Sequence, residues 1–291
     1  MRRHLRDAVY RVHVGNLRIA AVMARNTVAE GVRRWAIPAA AEPSRLWAEY
    51  MAGTVMLSSF FKGEERIKME LKAPDSAENI YVEAMAVGEV RGKPNLIEGS
   101  TSSAFNNGQM EVSKILYGAT KPYVTAVPAV GNAEFDWQTF YDTSEQVPTA
   151  VRIGHALESD QLRCSGLTIQ KMPDSAPHDR IYDLSDLRFD VAPFVVGDFK
   201  QNSDMIEYLN ELIPGADLKE ETCRKVPLDF YCRCSKKAFT SRLIGLGSEY
   251  LSGVVEETKD EGIELTCHFC NELYHFSPNE LNAMISSEAK Q

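Results

Sequence analysis

Near the end of the chain four cysteines stand in two close pairs, Cys232-Arg233-Cys234 and Cys267-His268-Phe269-Cys270, with 32 residues between them. Nothing else in the sequence restricts the fold as tightly. Each pair brings two sulfurs to one point, and the two pairs together supply the four ligands of a closed tetrahedral Zn²⁺ site. Four cysteines buried separately in a core is the plainer alternative, and clustering into two close pairs weighs against it. His268 and His275 lie near enough in sequence to replace a thiol. Four sulfurs already complete the shell, so both histidines are expected at the surface or around the ligands.

A closed shell leaves no position for an attacking water, which disfavours hydrolytic zinc chemistry and leaves a structural role or a switch. A plain structural ribbon uses C-x-x-C on both sides. Here Cys232 and Cys234 are one residue apart, and a disulfide between them would be cramped, of the strained kind that is labile and regulatory. Magnitudes favour a switch. Zinc binding in small cysteine sites is worth about 10–16 kcal/mol, while a whole domain is stable by only about 5–15 kcal/mol. Losing the metal should therefore unfold a small unit built around it.

The rest of the composition narrows the function. No apolar run approaches the ~20 residues of a membrane helix, so no membrane partner is expected. A net charge of -9 argues against nucleic acid, which needs a basic face. Arg2, Arg3, Arg6 and Arg11 give the N-terminus a transit-peptide flavour, yet strand-like sequence begins at Ala8-Val9-Tyr10, and no secretory apolar region is present. Six cysteines without an export signal point to a reducing compartment, the cytoplasm, with an organelle matrix as the alternative. The G-x-S-x-G, G-x-x-x-x-G-K-[ST] and H-E-x-x-H signatures are all missing, so no enzyme is expected.

Hydrophobic periodicity predicts an α+β fold. Val9 to Arg25 alternates around Gly15-Asn16 as a hairpin. Thr27-Val28-Ala29-Glu30 has capping-box spacing before a short helix over 28–35. Ser44 is placed to cap the next helix, where Leu46, Met51, Val55, Met56, Phe60 and Phe61 recur at helical spacing and form either core or a face for a partner. Strands are expected at Ile67–Leu71, Ile80–Met85, Val87–Arg91, Met110–Leu116, Tyr123–Val127 and Val151–Ala156. This body runs over 1–173. Between Asp174 and Tyr231 stand 13 acidic residues against six basic ones, so 174–229 reads as an acidic, partly helical linker, with Met205, Ile206, Leu209, Leu212 and Ile213 forming the apolar stripe of one helix. The last unit, 230–291, reads as two helices over 235–246 and 248–257, a hairpin over 263–276 with the second cysteine pair at its turn, and a helix opened by Ser277-Pro278-Asn279-Glu280.

These residues resemble the heat-shock protein 33 family. The run Phe230-Tyr231-Cys232-Arg233-Cys234-Ser235, followed by Cys267-His268-Phe269-Cys270 and Tyr274-His275-Phe276, is similar to that family's zinc switch. Lys62-Gly63-Glu64-Glu65-Arg66, Gly88-Glu89-Val90-Arg91-Gly92, Tyr141, Ser144-Glu145-Gln146-Val147-Pro148 and Gln170 near Pro173 extend the likeness through the body. The chain departs from it at Lys72–Asn79, in place of a glycine-rich turn, and at Cys164-Ser165-Gly166, in place of a double glycine.

What the resemblance implies is a redox-regulated, ATP-independent holdase chaperone of the cytoplasm. Cys232, Cys234, Cys267 and Cys270 would hold one Zn²⁺ in the reduced, inactive form. Oxidation would pair Cys232 with Cys234 and Cys267 with Cys270, release the metal, unfold the linker, favour a homodimer and let the protein hold unfolding clients. Cys164 and Cys223 match nothing in that pattern. The competing reading is a zinc-ribbon module of a nucleic-acid or translation complex, against which the acidic balance counts.

Overall fold

The computed structural model describes residues 6–97, 99–173, 180–187, 202–258 and 261–288. The chain divides into two compact units, Met1–Tyr231 and Cys232–Gln291. Part of the acidic stretch, residues 174–179 and 188–201, lies outside the described residues.

The first unit is built on two sheets. One has the order β10-β1-β2-β9-β8, from β1 (Ala8–Val14), β2 (Leu17–Ala24), β8 (Thr149–Glu158), β9 (Gln161–Lys171) and β10 (Arg224–Pro227). The other has the order β11-β5-β4-β3-β6-β7, from β3 (Arg66–Lys72), β4 (Asn79–Met85), β5 (Glu89–Asn95), β6 (Gly108–Ile115), β7 (Tyr123–Ala129) and β11 (Asp229–Phe230). Three helices belong with them, α1 (Asn26–Arg34), α2 (Glu42–Ser58) and α3 (Ala133–Phe140).

α2 organises this core. The stripe residues within it, Leu46, Met51, Val55 and Met56, are core rather than exposed surface, and the helix is buried on nearly every side; Phe60 and Phe61 lie beyond its end and are half-buried. An all-round buried helix needs apolar cover on two faces. One face of each sheet supplies it, with Val9, Ala20 and Val22 from the first sheet and Ile67, Met69, Ile80 and Val82 from the second in a single cluster with α2. Packing is close enough that a Cβ on Gly53 would stand 2.0 Å from the Trp137 indole nitrogen. Asp136, also buried, accepts the Tyr50 hydroxyl and the Val130 and Gly131 backbone N–H groups at 3.0 and 3.2 Å, tying α2 to the turn before α3.

Two expected caps differ. α2 starts at Glu42 with Ala41 as its N-cap and a proline in its first turn. Ser44 instead donates to the Pro38 carbonyl at 2.9 Å. Thr27 does not cap α1. A carboxylate from far away in sequence does that work: Asp7 accepts the Thr27 N–H at 2.7 Å and the Arg25 N–H at 2.9 Å.

The opposite face of the first sheet carries a second cluster. Tyr10, Val12, Leu17, Ile19, Leu167 and Ile169 are covered by Met205, Leu209 and Leu212 of α4 (Asn202–Leu212) and by Ile213. The apolar stripe read from the sequence thus lies on a sheet. Beyond it the chain closes an edge of each sheet in turn. β10 runs antiparallel to β1 and β11 runs parallel to β5, with buried Leu228 between them donating its N–H to the Asp7 carbonyl at 2.9 Å. Tyr231 N–H bonds the Val90 carbonyl at 2.9 Å, and Cys232 follows.

Candidate metal centre

The second unit holds three short helices, α5 (Lys236–Ile244), α6 (Ser248–Thr258) and α7 (Pro278–Glu288), and the hairpin of β12 (Ile263–Thr266) and β13 (Leu273–Phe276). Its apolar core is thin. Leu243, Leu251, Phe276, Leu281 and Met284 are its buried members, little for a sixty-residue unit, a size at which the hydrophobic core alone is marginal.

Local chemistry positions the four sulfurs. The Ser235 hydroxyl accepts the Ala238 N–H at 3.2 Å and caps α5, leaving Cys232 and Cys234 on the extended stretch that leads into it. Antiparallel pairing of Thr266 with Leu273 closes the hairpin. In its turn Cys267 donates its N–H to the Glu272 carbonyl at 2.8 Å and accepts the Asn271 N–H at 2.9 Å. Asn271 takes the left-handed conformation at φ 58°, which asparagine tolerates better than most residues. The turn points Cys267 and Cys270 the same way.

All four Sγ atoms lie within 4.8 Å of one another. Cys232 Sγ is 3.8 Å from Cys267 Sγ, and Cys234 Sγ is 3.4 Å from Cys270 Sγ. A tetrahedral Zn²⁺ with Zn–S bonds of about 2.3 Å sets its ligands about 3.8 Å apart, so the donor set fits such an ion in chemistry and in spacing. Among the described residues this is the one place where three or more metal-ligating side chains converge in this way. None of the four is joined in a disulfide.

Cys267 and Cys270 are buried. Burial first, and then the neighbouring cysteines, push both thiols above their ordinary range. Four sulfurs packed so closely cannot all ionise without a cation between them, and a bound metal reverses that balance. Sequence reasoning gave Tyr274 no role of its own. Its hydroxyl donates to Cys234 Sγ at 3.1 Å and its ring packs on Phe239 with centroids 4.9 Å apart. A tyrosine four residues after the second pair, on a strand that returns past the turn, was the available signal. His268 and His275 are exposed, and His275 Nε2 meets the Glu261 carbonyl at 3.2 Å. Cys164 and Cys223 are buried in the first unit, outside the cluster.

A profile of the Hsp33 protein family matches residues 7–277. The chain belongs to the Hsp33 family. Proteins named 33 kDa chaperonin are similar along nearly their whole length. That of Halalkalibacterium halodurans is 30% identical, with 93% of this chain and 94% of the relative covered. That of Oceanobacillus iheyensis is 29% identical, with 92% and 94% covered. The crystal structure of the Hsp33 homologue of Thermotoga maritima superposes with a TM-score of 0.79 at 18% identity, covering 99% of this chain and 100% of that one, which shows a shared fold. Hsp33 proteins are chaperones and not enzymes, in keeping with a closed set of sulfur ligands. No helix among the described residues is long and apolar enough to cross a membrane.

Proposed function

We propose that this chaperone is a redox-regulated, ATP-independent holdase of the cytoplasm, in which Cys232, Cys234, Cys267 and Cys270 hold one Zn²⁺ in the reduced, inactive state. The observation that carries this reading is the convergence of four sulfurs not joined in disulfides in a unit whose apolar core is too thin to stand alone. The metal supplies a divalent charge that keeps the four sulfurs together as thiolates.

An oxidant of the peroxide class removes that arrangement. Each thiolate pair, Cys232 with Cys234 and Cys267 with Cys270, gives up two electrons as one S–S bond forms. For each pair one peroxide O–O bond breaks, its oxygens take two protons from solvent, and two waters leave. Disulfide sulfur is a poor ligand, so the metal departs and the unit unfolds. The functional division is a body over 1–173, an acidic linker over 174–229 and a switch over 230–291. Because the strands β10 and β11 run by chain continuity into Cys232, disorder that spreads back through Tyr231 reaches the covering segment. Release of α4 uncovers Tyr10, Val12, Ile19, Leu167 and Ile169, an apolar sheet face of the kind that unfolding proteins bind, and favours a homodimer in the oxidised state.

The test is oxidation of the full chain by peroxide under mild warming, with zinc release and client aggregation followed together. Suppressed aggregation that appears with metal loss supports the reading. Suppression that is unchanged when all four cysteines are serine would remove the switch.

A further inference from the structure

A basic ledge stands on the α2 side of the first sheet, where α2 ends. Arg224 and Arg11 are directly opposite each other on β10 and β1, and His13 and Arg18 are opposite on β1 and β2. Directly opposite residues project to the same face with Cβ atoms about 5 Å apart, and three neighbouring strands span about 10 Å. The four side chains therefore share one surface.

Phe60 lies in their midst. The Arg18 guanidinium sits over its ring at 4.4 Å and His13 meets its edge at 6.2 Å. Gln170, almost wholly buried, accepts Arg18 Nε through its amide oxygen at 2.9 Å. That bond fixes the guanidinium by one nitrogen and leaves its two terminal nitrogens without a partner among the described residues. Arg11 gives one terminal nitrogen to the Ser59 carbonyl. Arg224 is exposed.

What is absent here is a carboxylate partner. Arg25, Arg45, Arg66, Arg91, Arg152 and Arg163 of the same unit all form ion pairs with glutamates, in a chain with 41 acidic residues. Arg11, Arg18 and Arg224 form none among the described residues. Glu145, the carboxylate that acts on Arg18, is itself paired with Lys114. The arginines also oppose positive charge around them. Burial, and then Arg18 and Arg11, hold His13 below its ordinary range, and burial followed by Arg224 lowers Arg11. The end of α2 explains part of this, since its last carbonyls attract one cation, and Arg11 meets that need. It leaves Arg18 and Arg224 unexplained.

We propose that Arg224, Arg11, His13 and Arg18 around Phe60 form a binding site for a condensed phosphate, either inorganic or the phosphate tail of a nucleotide. Guanidinium forks match phosphate oxygens two at a time. Donors spread over three strands suit several linked phosphoryl groups rather than one carboxylate, which would neutralise one cation and leave the rest opposed.

Equilibrium dialysis of the reduced full chain against pyrophosphate, triphosphate, ADP and orthophosphate, at one ionic strength, tests the site. Saturable one-to-one binding is expected, with orthophosphate weakest. Arg224→Ala and His13→Ala, at exposed positions, should together weaken pyrophosphate at least tenfold, and Arg18→Ala should do the same. Lys237→Ala, which removes one charge elsewhere, should leave binding unchanged. ADP tighter than pyrophosphate identifies a nucleotide, and equal or weaker ADP identifies an inorganic chain. Binding that never saturates, or that Lys237→Ala weakens as much as the ledge variants do, overturns the site. Thermal melts of each variant confirm folding, and the exposed pair decides the question if Arg18→Ala unfolds.

Discussion

Cys234 and Cys270, 36 positions apart in sequence, hold their sulfurs 3.4 Å from each other. The contact joins the stretch before α5 to the turn of the β12–β13 hairpin, so the cluster is also the clasp of the second unit. Every sulfur remains within 4.8 Å of the others, a spacing that suits one ion held across the two pairs.

Cys270→Ser should cost the unit its fold as well as its metal. Structural zinc in such sites contributes about 10–16 kcal/mol, more than the few buried side chains of this unit can replace. The expected result is loss of bound zinc, and of protease resistance over 232–291, with the first unit's melting unchanged. Both are read by metal analysis and limited proteolysis. A folded, metal-free C-terminal unit would contradict this.

Leu209→Ala addresses the cover on the first sheet. Leu209 is fully buried against the outer sheet face, and emptying such a site costs about 2–5 kcal/mol. It stands in the middle of the apolar stripe, with Met205 and Leu212, by which this eleven-residue helix lies on the sheet. The variant should exchange the amides of α4 faster and suppress client aggregation without oxidant. Unchanged exchange would mean that α4 is held by something other than this stripe.

Gly88→Ala probes the closing strand. Gly88 has φ +88°, and a Cβ there would stand 1.9 Å from the Pro227 carbonyl oxygen. A non-glycine residue in left-handed backbone costs about 1–2 kcal/mol before any clash. Hydrogen exchange at Leu228 and Tyr231 should quicken more than tenfold, while the interior strands β3 and β4 stay protected.

Much of this was legible in the sequence, and the exceptions share a cause. The hairpin at Gly15-Asn16, the helix cap at Ser235 and the box in which Ser277 and Glu280 exchange hydrogen bonds at 2.9 and 3.4 Å are local patterns, and they appear as expected. The cysteine spacing likewise anticipated that these four sulfurs converge. What escaped depends on distant partners. Asp7 caps α1 from 20 residues away. β9 lacks clean alternation because its residues are buried on both faces. β10 and β11 are too short to register as strands and exist because the edges of β1 and β5 accept them. α2 is buried on nearly every side because a sheet covers each of two faces, and nothing local announces the second sheet.

The pH dependence of the first unit carries a mark of Asp136. Burial raises its carboxyl above the ordinary value of 3.8. A raised folded value means stability that is fully present below the unfolded value and lost as pH rises through the folded one. Asp136→Asn should therefore be most destabilising below the ordinary value, with a penalty that shrinks as pH climbs toward neutrality. Denaturant melts across that range measure it. A penalty that grows with pH would reverse the sign.

The most direct measurement of the proposed switch is a single-tube titration of the reduced, zinc-loaded chain with peroxide, in which a metal indicator reports zinc and light scattering reports a thermally unfolding client. One zinc released per chain should coincide with the onset of suppressed scattering, and a reductant should reverse the disulfides. Zinc loss with scattering unchanged, or suppression that precedes zinc loss, would contradict a holdase controlled by Cys232, Cys234, Cys267 and Cys270.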